Sequence, residues 1–453
     1  MRGVSKTFRP YAPRQAFLLP PSPLEWLPQD HLALFILDIV QQLDLSPIYA
    51  HYERELRGFP PHDPQMMVAL LLYGYCIGVP SSRKIERKTH EDVAFRVIAG
   101  GGHPDHSRIS DFRRVHLEAL AGLFVEVLCL CQKAGLVKLG SVALDGTKVK
   151  ANASKHKAMS YERMKKDDQK LREKVSELLA KAEQVDEEED AVYGKGRSGD
   201  ELPEDLRHAK GRGERIRQLM KELEEETKRQ QEAETAAKDN DEPPPPPTGD
   251  DLPSHKIPRT TDGKPTPKAQ RNFTDPESRI MKSGDGYVQA YNCQAMVDDA
   301  HQIIVAEAVT NQPPDVEHLV PMIARTVENC GKKPTKMIAD AGYFSEANVC
   351  ETMKWGVDPY IATGRSHHDE QVIAPRGRVP AGLSIKEAMA RKLAMKSGAA
   401  IYSRRKVIVE PVFGQIKEAR GFRRFLLRGL AKVRGEWSLI TLTHNLLKLH
   451  AFA

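Results

Sequence analysis

Cysteine is scarce. Six residues (Cys76, Cys129, Cys131, Cys293, Cys330 and Cys350) are scattered along 453, with no Cys-X-X-Cys pair and no histidine at zinc-finger spacing. That pattern argues against a disulfide framework or a structural zinc site and predicts reduced thiols in a cytoplasmic, nucleoid-associated protein. Long apolar runs are missing too. The longest, Leu32 to Val40 and Met66 to Ile77, are too short to span a bilayer, and Asp38 interrupts the first. No apolar h-region of the secretory kind stands near the N-terminus, so no leader and no membrane partner is expected. Neither sign of charge dominates: 68 Lys and Arg face 62 Asp and Glu, a net +6 too small to name a partner. The length suffices for two or three domains with a sizeable core.

The placement of charge says more than its total. From Arg404 to Arg434 the only acids are Glu410 and Glu418, whereas the middle of the chain carries acidic blocks. Within Arg420 to Arg434, basic residues alternate with Phe422 and Phe425, a mixture suited to phosphate neutralisation and base stacking. Both phenylalanines suit a core equally well. Trp437, in register with Leu439, Leu442 and Leu446, reads as packing.

Residues 1–135 read as helical. Leu32, Phe35, Ile36, Ile39, Val40 and Leu43 form an apolar stripe, Asp63-Pro64 caps a helix from Met66, and helical patterns with Arg-rich faces follow over 81–98 and 107–131. Ser107 is the expected cap of the helix that presents Arg108, Arg113 and Arg114. After Lys155 the composition turns highly charged, with stripes at Leu171, Val175, Leu178, Leu179 and Ala182 and at Ile216, Leu219 and Leu223. These predict a helical hairpin. Five prolines from Pro243 then predict an extended linker, and 155–280 reads as an insertion. Order returns at Gly286 with a strand hairpin to Thr310, a helix over 316–329, a strand ending at Asp340, a helix over 345–355 and a strand over 359–362.

Three carboxylates stand at element ends. Val142 and Leu144 mark a short buried strand that ends at Asp145, followed by Gly146, which permits close backbone approach. A carboxylate there needs a cation or a backbone donor, because burying it unpaired costs several kcal/mol. Asp340 ends a second apolar strand, and Glu410 opens a helical stretch in which Lys417, seven residues on, shares its face. Alone, each acid also reads as a turn, a cap or a solvated helix residue.

The motifs LDGTKVKANAS, IADAGYFS and VEPVFGQIK resemble the three acidic motifs of bacterial insertion-sequence transposases of the DDE class. YNCQAMVD, VTNQPPD and THNLLKL resemble the same family's flanking segments, in order. The resemblance implies an α/β fold: a ribonuclease-H-like mixed sheet with flanking helices (136–154 and 281–453), preceded by an all-α N-terminal domain and interrupted by a helical and disordered insertion. The βββαβαβ order read from the pattern supports it.

It further implies that Asp145, Asp340 and Glu410 are the catalytic, metal-binding acids, with Asp145 bridging two Mg²⁺ ions and Mn²⁺ able to substitute. Tyr402, Arg405 and Lys417 resemble further family positions. Tyr402 and Arg405 each lie one residue further from Glu410 than the family pattern, and Lys406 occupies the nearer basic place, so either Arg405 or Lys406 fits a phosphate contact. Arg423 and Arg424, with Arg108, Arg113 and Arg114 of the N-terminal helices, complete the expected contacts to double-stranded DNA. The implied protein binds the ends of its element as a homodimer, cleaves them, and transfers the 3′ ends to target DNA. Two other readings fit the same residues: a non-catalytic end-binding repressor, and a metal-dependent nuclease of the same fold. His367-His368 and the pair His103 and His106 are a rival metal site, but no Cys or acid follows at zinc-site distance, and loop histidines are the expectation.

Overall fold

The computed structural model describes residues 8, 9, 11, 22–54, 58–193, 204–239, 252–284, 286–364, 375, 380 and 382–452, with the side chains of 178–193, 204–210 and 237–239 outside that description. The proline run from Pro243 and the pair His367-His368 lie outside the described residues.

Among the described residues eight strands form two sheets: β1 (Ser141–Lys150), β2 (Ala158–Ser160), β3 (Gln270–Asn272), β4 (Arg279–Ser283), β5 (Gly286–Asp298), β6 (Ile304–Thr310), β7 (Lys336–Ala339) and β8 (Asp358–Ile361). The main sheet runs β4-β5-β1-β7-β8, and β6 also pairs with β5. β1 is antiparallel to β5 and parallel to β7, which is parallel to β8. This is the ribonuclease-H-like mixed sheet with flanking helices, the insertion lying between its first two long strands. Val142, Ala143 and Leu144 are all buried, as a central strand covered on both faces requires.

Order returns earlier than the pattern at Gly286 suggests. β3 pairs with β2 at the root of the insertion, and β4 pairs with the first residues of β5. Arg279 and Lys282 in β4 interrupt the apolar alternation that marks a strand, so pairing, not periodicity, makes it one.

Among the described residues seven α-helices precede β1: α1 (Leu32–Val40), α2 (Ser46–Glu53), α3 (Pro64–Cys76), α4 (Ser82–Glu91), α5 (Val93–Ile98), α6 (His106–Val115) and α7 (Leu117–Lys133). Asp63 caps α3 by accepting from the backbone N–H of Gln65 at 2.7 Å. The cap of α6 is Asp105, which accepts from Ser107 at 2.9 Å and Arg108 at 3.0 Å. Ser107 is therefore inside the helix, and its hydroxyl also donates to Asp105. An ionised carboxylate at the cap also complements the helix dipole, which a serine hydroxyl does not.

The insertion contributes α8 (Tyr161–Tyr193) and α9 (Glu204–Asp239). Ile216, Leu219 and Leu223 are buried in small clusters with Met159, Tyr161 and Met164. Leu171 is half-buried in the first cluster; the side chains of Leu178, Leu179 and Ala182 lie outside those described.

Beyond β6 come α10 (Leu319–Cys330), α11 (Glu346–Lys354), α12 (Ile385–Ala394), α13 (Lys396–Ser403), α14 (Arg405–Ile408), α15 (Glu410–Gly414), a π turn (Gln415–Ala419) and α16 (Leu430–Phe452). From Gly435 to Leu446 α16 is buried around its whole circumference, while Ala431, Lys432 and Arg434 near its start are exposed. It lies against α3, α7 and β6. A Cβ at Gly435 would stand 2.5 Å from Leu117 Cγ, so only glycine permits this closeness. One apolar core runs from the N-terminal helices through the sheet to α16. Phe422, Phe425 and Trp437 belong to it, which removes both phenylalanines from base stacking. Asn445 of the THNLLKL segment accepts from Ile304 N at 2.9 Å and donates to Ile304 O at 2.8 Å, covering the open edge of β6.

His444, beside it, is buried and hydrogen-bonded to Gln302 O at 2.9 Å. Burial, with Arg420 nearby, pushes its imidazole down to about 3. A depressed folded-state value gives stability that is complete above the unfolded-state value near 6.5 and is lost as pH falls through the window toward 3. His444→Gln should flatten that acid limb by about 1.4 kcal/mol per pH unit, read from urea midpoints between neutral pH and about 5.

Candidate active site

Strand register brings the first two acids together. Leu144 of β1 is in register with Ala339 of parallel β7, so Asp145 and Asp340 come next on neighbouring strands. β7 ends at Ala339, but pairing with β5 carries β1 through Asp145 to Lys150, so the strand end expected at Asp145 is not found. Asp340 then caps the short turn Ala341–Tyr343, accepting from Gly342 N at 2.8 Å. Asp145 accepts from its neighbour Gly146 N at 2.8 Å and from Arg405 Nη1 at 2.8 Å. Burial pushes the Asp145 carboxyl up to about 6; Arg405 opposes this, and Asp340 and Asp315 add to it.

Glu410 comes to the site through the helices. It opens α15, and its Oε1 accepts from Arg405 Nη2 at 3.0 Å. One guanidinium thus joins Asp145 and Glu410, with its side chain 17% exposed. Tyr402 lies half-buried beside Arg405, and burial raises its hydroxyl. Lys406 is exposed and, among the described residues, makes no ion pair with these acids. Of the two basic candidates, Arg405 is the one at the acids. The helix phase that would have decided between them is broken at Val409. Lys417 lies in the π turn beyond Glu410 and donates to Lys148 O at 3.2 Å, bracing β1.

A fourth carboxylate, missed in the sequence, stands under these residues. Asp315 accepts from Asn292 Nδ2 at 2.7 Å, Gln294 Nε2 at 2.9 Å and Lys148 Nζ at 3.1 Å. Tyr343 donates to Gln294 Oε1 and closes the network. A Cβ on Gly146 would meet Gln294 Nε2 at 2.6 Å and Asp315 Oδ1 at 2.9 Å, which is why glycine follows Asp145. The signal was the Pro-Pro-Asp of VTNQPPD: two prolines fix the chain direction into Asp315. Asp315→Ala should cost about 3 kcal/mol in chemical denaturation, because Lys148 would keep its buried charge without a counterion. Asp315→Asn should cost less.

Elsewhere the expected residues separate. Arg113 is buried, its guanidinium donating to Tyr75 OH at 3.1 Å and Pro80 O at 2.8 Å. It ties α6 to α3 and offers no surface charge, unlike Arg108 and Arg114, which are exposed. Arg114 pairs with Asp111 at 3.0 Å. Arg423 is exposed and pairs with Glu418, and Arg424 is exposed. His103 bonds Thr89 and stacks on His90 at 3.9 Å, while His106 bonds Glu86, so both serve local structure. All six cysteines are free thiols. No single helix among the described residues is long and apolar enough to cross a membrane.

The donor set fits a hard divalent cation in kind: Asp145 and Asp340 on neighbouring strands, and Glu410 joined to Asp145 through Arg405, offer carboxylate oxygens. Among the described residues no three acidic, histidine or cysteine side chains are grouped closely enough to hold one ion, and Arg405 lies between two of the acids.

Residues 22–115 match the family described as Transposase domain (DUF772), and residues 379–450 match the Transposase DDE domain. Glu410 and Arg405 fall within the second match; Asp145 and Asp340 lie between the two. No curated protein and no solved structure matches the chain.

Proposed function

We propose that this chain, a DDE transposase of the insertion-sequence kind by its two family matches, binds the ends of its element, cleaves them with Mg²⁺ and transfers the 3′ ends to target DNA. The observation that carries the reading is that one guanidinium, Arg405, bonds both Asp145 and Glu410, while strand register sets Asp340 beside Asp145. Asp145 would hold metal from within β1, Asp340 from the end of β7, and Glu410 from the start of α15. Bound there, divalent ions activate an attacking oxygen and stabilise the leaving 3′ oxygen, with Mn²⁺ a competent substitute.

The chain's own residues supply the frame. Asp315, Asn292, Gln294 and Tyr343 hold β1 and the turn after β7 in register, so the two aspartates keep their spacing. Arg405 and Tyr402 present donors beside the acids, suited to a phosphate oxygen of the strand being cut. Lys406, Lys417, Arg423, Arg424, Arg108 and Arg114 are further candidates for backbone contacts. No protein nucleophile is required, since water or a 3′-hydroxyl attacks in line. Two ends must be held for a coordinated reaction, which favours a homodimer on DNA.

The test is cleavage and joining of the DNA flanking the gene, wild type beside Glu410→Gln, with and without Mg²⁺. Joined products from wild type alone support the transposase. Cleavage without joining points to the nuclease, and full function in EDTA to the repressor.

A further inference from the structure

β1 does not stop at the acids. It continues to Lys150, where Lys150 N donates to Arg423 O at 3.1 Å and Phe425 N donates to Lys150 O at 2.9 Å. This bridge places the basic stretch after Arg420 alongside the strand, with Phe422 and Phe425 buried as its anchors. The alternation of Arg and Phe therefore has a consequence other than stacking: apolar residues fix the strip, and basic ones face outward.

Between this strip, the end of β1 and the start of β5 lies a groove of about 510 Å³. Lys150, Lys155, Lys157, Arg424 and Arg428 line it, Tyr287 stands at its side 63% exposed, and none of its lining residues is acidic. Among the described residues, Lys155, Lys157, Arg424 and Arg428 form no ion pair with an acid. Like charges gathered in a concave surface repel one another, and a polyanion relieves that repulsion.

We propose that this groove binds the phosphate backbone of duplex DNA on the flank of the site being cut, an inference that rests on the reading of DNA as substrate. Its position gives a distance. Lys150 follows Asp145 by five residues, about 17 Å along a strand at about 3.3 Å per residue. One DNA strand carries a phosphate every ~3.4 Å of axis, so the contacted phosphates lie about five base pairs from the scissile one.

The experiment is binding of a labelled element-end duplex and of a random-sequence duplex by the full chain in EDTA, across a salt series. Lys155→Gln/Lys157→Gln/Arg424→Gln should lower the slope of log affinity against log salt by about three on both duplexes, with thermal unfolding unchanged. Neutral methylphosphonates about five base pairs from the cut should weaken wild type and leave the triple variant unaffected. A slope equal to that of wild type overturns the groove while leaving the DNA reading intact; no binding of either duplex by wild type overturns both. Lys157→Gln alone, at an exposed side chain, should lower the slope by about one if the triple variant proves unstable.

Discussion

Asp340→Asn should lower DNA cleavage by about a thousandfold or more while leaving the fold and end binding intact, since a bound metal supplies several kcal/mol of transition-state stabilisation. Among the three acids this is the cleanest substitution. Asp340 accepts a local bond from Gly342 N, and asparagine can accept the same bond as a cap. Asp145 and Glu410 also neutralise Arg405, so changes there disturb a charge pair as well as a metal ligand. Cleavage assays in Mg²⁺ and Mn²⁺, set beside binding in EDTA, separate the two effects. Near-normal cleavage by Asp340→Asn would remove Asp340 from the reaction.

Arg405→Ala should destabilise the metal-free protein by about 3 kcal/mol near neutral pH, because Asp145 would be left as a largely buried carboxylate without its counterion. The loss should shrink in acid. Without Arg405, burial and the neighbouring Asp340 and Asp315 push the Asp145 carboxyl higher still, so protonation below that value relieves the cost. Divalent ions should then raise the melting temperature of Arg405→Ala by more than that of wild type, since no guanidinium has to be moved from between Asp145 and Glu410. Calorimetric melting in EDTA and in Mn²⁺ reads both effects without any cleavage assay. Equal metal-induced shifts in the two proteins would show that Arg405 does not compete with the ion.

Asp145 and Asp340 stood out in the sequence because an apolar strand meeting a charge is a local pattern, although pairing with β5 extends β1 past Asp145 to Lys150; the mixed sheet was expected from the family resemblance, with the order of elements in support. Glu410 was legible through its motif. Asp315 was not, because a Pro-Pro-Asp turn has no periodicity and its partners lie on β1 and β5, far away in the chain. Arg113 looked like its neighbours Arg108 and Arg114; only the packing of α6 on α3 turns it inward. The choice between Arg405 and Lys406 depended on helix phase, which the break at Val409 resets by an amount that spacing alone does not encode.

The burial of α16 among α3, α7 and β6 also bears on synthesis. The helices made first present an apolar face that stays open until residues from the far end of the sequence emerge and cover it. An isolated fragment ending near Lys133 would keep that face in water and tend to associate through it. A half-made chain thus lacks both α16 and most of the sheet, and the helices made first complete their packing only after the last part of the sequence is available.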